Sequence, residues 1–392
     1  MRILISAGEV SGDAAGARLA RELRAQASDV VLSGVGGPRM AAAGVDVLAN
    51  TNPAGTVGIS EAVRAVPTLV RAARALSAQV RRQRPDAAVV IGNDVFNLLV
   101  ARRLRRMGVP TSWWFPPQVW VWRAVASVFA RSVDAMLTVF PEEARVYQAA
   151  CPDLRIDFVG HYLADELASR TADDQVTARR SLGLPLDRPI IGLLPGSRGH
   201  EVAHMLDVFL DAATRLSTRP SPPCFVLPLS DAAHRQRVEA ALADRPRLDV
   251  RLVADGPSAM RASEVILVSS GTATLEATLL NVPMVVAYRV SWLSNAVINT
   301  CIRLGLIASR TVALPNLLLG TRVVREVLQE QLTADTLCNE IGRLLDHPTA
   351  ARDMSAQLKA VAQQVHGGHS VARVASLVLA SAAARSALAE AV

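Results

Sequence analysis

Lysine is almost absent from this chain: Lys359 is the only one among 42 basic residues in a length of 392. A lone lysine close to the C-terminus makes a P-loop kinase, a lysine Schiff base or a lysine general base poor candidates. Anion chemistry here must use arginine, backbone amides or helix ends. Cysteine is nearly as scarce. Cys151, Cys224, Cys301 and Cys338 are scattered and form no CxxC pair, so neither a zinc site nor a redox motif is indicated, and thiols in a reducing compartment are expected. Long apolar runs are missing too: no stretch of about 18 residues is uniformly apolar, so no spanning helix is expected. The opening residues, MRILISAGEVSGD, lack a long apolar signal region and a cleavage site, which reads as a cytoplasmic chain.

What the chain does hold is apolar: 51% hydrophobic against 20% charged residues excludes disordered and low-complexity classes. Its length suits two domains of similar size. Short apolar runs alternate with helix-periodic segments, the pattern of an α/β architecture with parallel sheets. The first series of strands is expected at Arg2–Ser6, Val30–Val35, Ala87–Ile91, Thr111–Phe115, Ala135–Val139 and Ile156–Val159. A polar, charge-rich stretch over Ala168–Arg188 reads as a linker. Beyond it a second series is expected at Ile190–Leu194, Cys224–Pro228, Val250–Leu252, Val265–Val268 and Met284–Ala287. Ligands in such sheets bind at the carboxyl ends of the strands.

Two small-residue turns lie ahead of helical patterns in the second half. Pro195-Gly196-Ser197-Arg198 follows a buried strand, and such a turn exposes amides at the positive end of a helix dipole while Arg198 adds a forked donor suited to a diphosphate. An ordinary strand–turn–helix with a solvated arginine has the same spacing. At Ser269-Ser270-Gly271-Thr272 a second turn precedes a helix carrying Glu276, which either belongs to a capping box or accepts the two hydroxyls of a ribose. A nicotinamide fingerprint is not supported, because Gly34-Val35-Gly36-Gly37-Pro38-Arg39 lacks the third glycine and does not follow the first strand. Gly196-Ser197-Arg198-Gly199 does not match the hydrolase elbow GxSxG.

Taken in order, the motifs resemble the lipid-A-disaccharide synthase family of inverting glycosyltransferases. They begin with Ala7-Gly8-Glu9-Val10-Ser11-Gly12-Asp13, Gly34 to Met40, Gly58-Ile59-Ser60-Glu61 and Val119-Trp120-Val121-Trp122-Arg123. They continue with Phe158-Val159-Gly160-His161, Leu194 to Arg198 with Glu201, Ser270 to Glu276, Pro283 to Tyr288 and Leu314-Pro315-Asn316-Leu317-Leu318. The resemblance implies a GT-B fold, two Rossmann-like domains with parallel sheets facing across a cleft. The boundaries expected are 1–170 for an acceptor-side domain, 186–365 for a UDP-sugar domain, and 366–392 for a C-terminal helix packing back on the first domain or on a partner subunit, as in a homodimer. It implies transfer of 2,3-diacylglucosamine from its UDP derivative to 2,3-diacylglucosamine 1-phosphate, with release of UDP and no cofactor. Arg198, Gly271, Thr272 and Glu276 would hold the UDP moiety, extended by Asn316 and, in a following helix, Glu326 and Gln329. Asn316 after Pro315 also fits a plain turn.

On the acceptor side the resemblance puts Gly8, Glu9, Ser11 and Asp13, with Ser11 or Asp13 also suited to capping the first helix. Inverting transfer needs a base for the attacking 6-hydroxyl and stabilisation of the departing diphosphate, and neither role demands a metal. The family carries Asp-x-Pro-Asp-Phe-Asn near residue 90, its first aspartate being the base candidate. This chain reads Gly92-Asn93-Asp94-Val95-Phe96-Asn97, so Gly92 replaces that aspartate. Asp94 or Glu9 is then the base candidate, although Asp94 also fits a turn. Four of five tryptophans fall between Trp113 and Trp122, either a platform for a sugar or acyl chain, with Trp120 in it, or packing in the core. Arg123 suits an acceptor phosphate or a carboxylate partner.

Net charge is +7 and the pI about 10.0. Ten arginines against two aspartates between Ala62 and Arg106 give that segment +8, so the remainder is close to neutral. Arginines beside apolar helix faces suit the anionic inner face of a membrane; a solvated helix surface has the same composition. Nucleic acid is disfavoured, since the stretch interleaves only one aromatic, Phe96. Val290–Ile307 is too polar to span a membrane and reads as a greasy lip for an acylated substrate or a buried helix. His366-Gly367-Gly368-His369 reads as a helix boundary. Two alternatives stand beside the transferase: a UDP-sugar epimerase of the same fold, and a non-catalytic lipid- or nucleotide-binding relative.

Overall fold

The structure, a computed structural model, describes residues 1–51, 59–92, 94–119, 123–168, 170, 174–196, 199–229, 232–290, 292–303, 305 and 311–390. Two compact units divide it. The first comprises Met1–Tyr162, Ser291–Ser309 and Gly367–Val392; the second comprises Leu163–Val290 and Arg310–His366.

The first unit holds a seven-stranded parallel sheet: β1 Arg2–Ala7, β2 Val31–Gly36, β3 Asp46–Asn50, β4 Ala87–Ile91, β5 Thr111–Trp114, β6 Ala135–Thr138 and β7 Arg155–Phe158, in the order β3-β2-β1-β4-β5-β6-β7. The second holds six: β8 Ile190–Leu194, β9 Cys224–Pro228, β10 Val250–Val253, β11 Val265–Ser269, β12 Met284–Tyr288 and β13 Arg325–Leu328, in the order β10-β9-β8-β11-β12-β13. Interior strands such as Ala87–Ile91 and Ile190–Leu194 are buried at every residue, as helices on both faces of a parallel sheet require. In each sheet the order of strands reverses once, between β1 and β4 and between β8 and β11. Loops leaving adjacent strands at such a point run in opposite directions and open a crevice at the carboxyl edge.

Two strands depart from expectation. β3 had no counterpart in the sequence reading, and β13 falls where Glu326 was expected on a helix. Both are edge strands with only one neighbour, so their residues are mostly half-buried and lack the solid apolar run of the interior strands. The stretch expected as linker contains the helix Gln175–Ser181, which belongs to the second unit. Its Arg179 is buried, donates through Nε to Ala262 O at 2.9 Å and pairs with Glu264.

Trp113 and Trp114 are core residues with no exposed surface, and Trp113 meets Phe129 edge-on at 5.8 Å between ring centroids. The helix Ser370–Glu390 packs on the helix Val10–Gln26 of the first unit; Gln26 Nε2 donates to Ala372 O at 3.0 Å and Ser376 Oγ to Gln26 Oε1 at 2.9 Å. His366 to His369 form the turn before it. A side chain at Gly367 would start 2.1 Å from Val159 O, so only glycine lets the turn lie against the strand end there.

Candidate active site

Both reversal points carry the residues singled out from sequence. In the first unit Ala7 pairs with Ile91, so Gly8 and Gly92 leave the sheet at the same level. Buried polar side chains clamp these loops. Asn97 accepts from Ser6 Oγ at 2.8 Å and donates to Ile91 O at 3.0 Å and to Gly92 O. Thr51 Oγ1 donates to Ala7 O and to Gly36 O.

Asp13 is fully buried, and both its oxygens are engaged by the turn after β2. Oδ1 accepts from the Gly37 and Met40 amides, each at 2.9 Å, and Oδ2 from Arg39 N at 3.1 Å. It therefore caps the helix Pro38–Ala42 from inside the helix Val10–Gln26, a role that sets the shape of the loop. Gly8 is buried and Ser11 exposed. Glu9 precedes the first helix at its N-cap position yet makes no side-chain cap bond, and the residue is half-buried. Asp94 opens the helix Asp94–Arg106; its side chain lies outside the described residues. Trp120 lies outside them altogether. Arg123 is exposed and makes no ion pair among the described residues.

An aromatic cluster completes this edge, and sequence reasoning did not assign it a role. Phe115, at the end of β5, lies 4.9 Å from His161 and 5.8 Å from Tyr162 between ring centroids, and the Arg18 guanidinium sits 4.5 Å over the Tyr162 ring. Phe115 has φ +55°, a conformation that costs a bulky residue on the order of 1–3 kcal/mol. Burial, aided by the nearby Arg18 charge, lowers the His161 pKa to about 3, so the ring is neutral at physiological pH. The motif Phe158 to His161 signals the histidine; nothing in the sequence signals the backbone of Phe115.

In the second unit Val268 pairs with Leu194, which brings the turn after β8 level with the one after β11. Arg198 lies outside the described residues. Gly271 and Thr272 are exposed at the start of the helix Thr272–Leu279, and Ser270 Oγ anchors the turn by donating to Val312 O at 2.9 Å. Glu276 is the fifth residue of that helix, too far along for a capping box, whose acid is the third residue. It is half-buried, and burial, then the carboxylates of Asp255 and Glu166, push its pKa up to about 7. At Asp255 itself burial pushes upward, but bonds from Ser258 and Arg170 outweigh it and hold that carboxyl below its usual range.

Asn316 and Glu326 meet between the helix Leu314–Leu319 and the first half of β13. Asn316 is buried, accepts from the Val323 and Val324 amides at 2.7 and 2.9 Å, and donates to Val324 O and Glu326 Oε1, both at 2.9 Å. Glu326 also accepts from Ala313 N at 3.0 Å. The pair thus ties the helix Leu314–Leu319 to β13, and the strand rather than a helix carries Glu326. Gln329 follows at the carboxyl end of β13 with φ +51°, its carbonyl accepting from Arg289.

The family model for lipid-A-disaccharide synthetase matches residues 3–377. The chain belongs to that family. A lipid-A-disaccharide synthase of Alcanivorax borkumensis is 39% identical over 371 residues, 94% of each chain, and one of Geobacter sulfurreducens is 37% identical over 380 residues, 96% of each. The protein is accordingly a glycosyltransferase of lipid A biosynthesis. Solved structures share its GT-B architecture at low identity. MurG of Acinetobacter baumannii has a TM-score of 0.57 at 14% identity, covering 96% of this chain and 99% of that one. The UDP-GlcNAc 2-epimerase of Neisseria meningitidis, bound to UDP-GlcNAc, has a TM-score of 0.65 at 12% identity, covering 97% and 100%. Likeness at that identity bears on fold alone, so the epimerase alternative is not favoured.

Proposed function

We propose that the second unit holds UDP-2,3-diacylglucosamine and the first holds 2,3-diacylglucosamine 1-phosphate, and that the 6-hydroxyl of the acceptor attacks the anomeric carbon with inversion, releasing UDP. The observation that carries this reading is the coincidence of the chosen residues with both strand-order reversals: Gly8, Glu9 and Gly92 at one, Gly271, Thr272 and Glu276 at the other. Exposed amides at the start of the helix Thr272–Leu279 suit a diphosphate, with Arg198 as the forked donor. Glu276 suits the ribose hydroxyls. Asn316, Glu326 and Gln329 shape the floor beside it, and Arg123 takes the acceptor phosphate. The test is UDP release by the purified chain given both acylated substrates; release that needs only the donor would contradict the acceptor assignment.

The same reading puts the protein on the inner face of the inner membrane. Among the described residues no helix is long and apolar enough to cross a membrane. Arg71, Arg74, Arg81, Arg82, Arg102, Arg103 and Arg106 are exposed on the helices Ile59–Arg82 and Asp94–Arg106. Val66 and Val70, and likewise Val95 and Leu99, are exposed at four-residue spacing in the first halves of the same helices. Helices that follow parallel strands begin at the carboxyl edge, so these apolar side chains lie nearer the acceptor loops than Arg81 and Arg82 in the one helix and Arg102, Arg103 and Arg106 in the other, with Arg71 and Arg74 between. That order suits a surface that touches acyl chains next to the site and anionic headgroups beyond it.

A further inference from the structure

On the edge where β1 and β4 end, the buried polar side chains among the described residues are engaged. Asp13 serves three backbone amides, Asn97 bridges Ser6 to the carbonyls of Ile91 and Gly92, and Thr51 holds Ala7. Glu9 stands apart: among the described residues no hydrogen bond or ion pair engages its carboxylate, and the residue remains half-buried at the loop end. Its Oε1 points over Gly92, 2.9 Å from where a side chain at that residue would begin. Gly92 has φ +56° and carries nothing into that space itself. A carboxylate grown from residue 92 and the carboxylate of Glu9 would therefore compete for one position, reached from two neighbouring strands.

We propose that Glu9 is the catalytic base of this enzyme, occupying from β1 the place that a side chain at residue 92 would reach from β4. The inference rests on the transferase reading above. An ionised Glu9 takes the proton of the acceptor hydroxyl as that oxygen forms its bond to the anomeric carbon. The bond from that carbon to the diphosphate breaks, its electron pair leaves with UDP, and Glu9 ends the step as the carboxylic acid.

The test uses the full chain, both acylated substrates and a UDP-release assay, with UDP affinity and thermal midpoint measured on each variant. Loss of a general base lowers turnover by roughly 10²- to 10⁴-fold, so Glu9→Gln is expected to lower kcat by at least about 100-fold at unchanged UDP affinity, a loss at least tenfold greater than that of Asp94→Asn. Aspartate is among the residues that tolerate the left-handed region, and Gly92→Asp added to Glu9→Ala, which empties the position above residue 92, is expected to recover about tenfold or more of the turnover that Glu9→Ala alone loses. That recovery is a readout a purely structural role for Glu9 would not give. Glu9→Gln within about threefold of the parent, Asp94→Asn as damaging as Glu9→Gln, or no recovery in the double variant each overturns the proposal. A parent protein that releases no UDP refutes the transferase reading instead, so the two failures are distinguishable.

Discussion

Replacing Glu276 with glutamine should make the protein more stable in mild alkali and remove a pH dependence from UDP binding. The carboxyl is raised from 4.5 to about 7 by burial, then by Asp255 and Glu166. At about 1.4 kcal/mol per pH unit, that displacement is worth on the order of 3 kcal/mol. The sign follows from proton uptake: between these two values the folded protein binds the proton and the unfolded chain does not. The stability contributed by the neutral carboxyl is therefore fully present below pH 4.5 and is lost as pH rises through about 7. The amide introduced by Glu276→Gln cannot ionise and escapes the loss. Denaturant melts of parent and Glu276→Gln should nearly coincide near pH 4.5 and separate by up to about 3 kcal/mol at pH 8, the variant being the more stable. Binding runs the other way. If ribose hydroxyls require the ionised acceptor, roughly a tenth of the parent is competent at pH 6 and nine-tenths at pH 8, so its apparent Kd for UDP should tighten about tenfold over that range. Calorimetry on the variant supplies the control, because titration of the diphosphate itself is common to both proteins. Parallel stability curves, or UDP affinities that change alike with pH in both proteins, would refute the reasoning.

Asp13→Ala leaves three backbone amides, those of Gly37, Arg39 and Met40, without their acceptor and should cost about 3–5 kcal/mol in denaturant unfolding; a cost under 1 kcal/mol would mean that water replaces the carboxylate. His161 should stay neutral down to about pH 4, since burial, seconded by Arg18, holds its pKa near 3. Its ring resonances should show no step near pH 6.5, and its contribution to stability, present above that pH, should be lost as acid approaches pH 3. Charge reversal by Arg103→Glu with Arg106→Glu should weaken binding to vesicles rich in anionic lipid by about tenfold or more, at roughly 1 kcal/mol per basic group, with turnover on detergent-dispersed substrate retained. Equal binding by parent and variant would remove this helix from the membrane surface.

Interior strands were legible because a parallel sheet covered on both faces demands solid apolar runs, and β4, β8 and β9 sit at the expected residues. The edge strands were legible in part: β7 and β10 fall within one residue of expectation, while β3 and β13, which open on Asp46 and on Arg325-Glu326, show no clear apolar run. The loops of the site were legible as glycine-bearing turns at strand ends, but the duties of their side chains were not. Asp13 looks like a cap for its own helix; its partners are amides 24 to 27 residues farther on, and only the packing of β1 beside β2 brings them near. Asn316 and Glu326 look like separate ligands, yet they bond to each other across a turn. The meeting of Glu9 with Gly92 depends on β1 pairing with β4 across a long stretch of intervening chain, and no local pattern encodes it.

The central claim is that this chain joins two acylated glucosamine units at the expense of a UDP ester. Mass spectrometry of the reaction with UDP-2,3-diacylglucosamine and 2,3-diacylglucosamine 1-phosphate tests it directly. A β-1,6-linked disaccharide phosphate appearing in step with UDP, and absent when either substrate is withheld, is the result expected. UDP formed without the disaccharide, or no reaction with both substrates present, would contradict it.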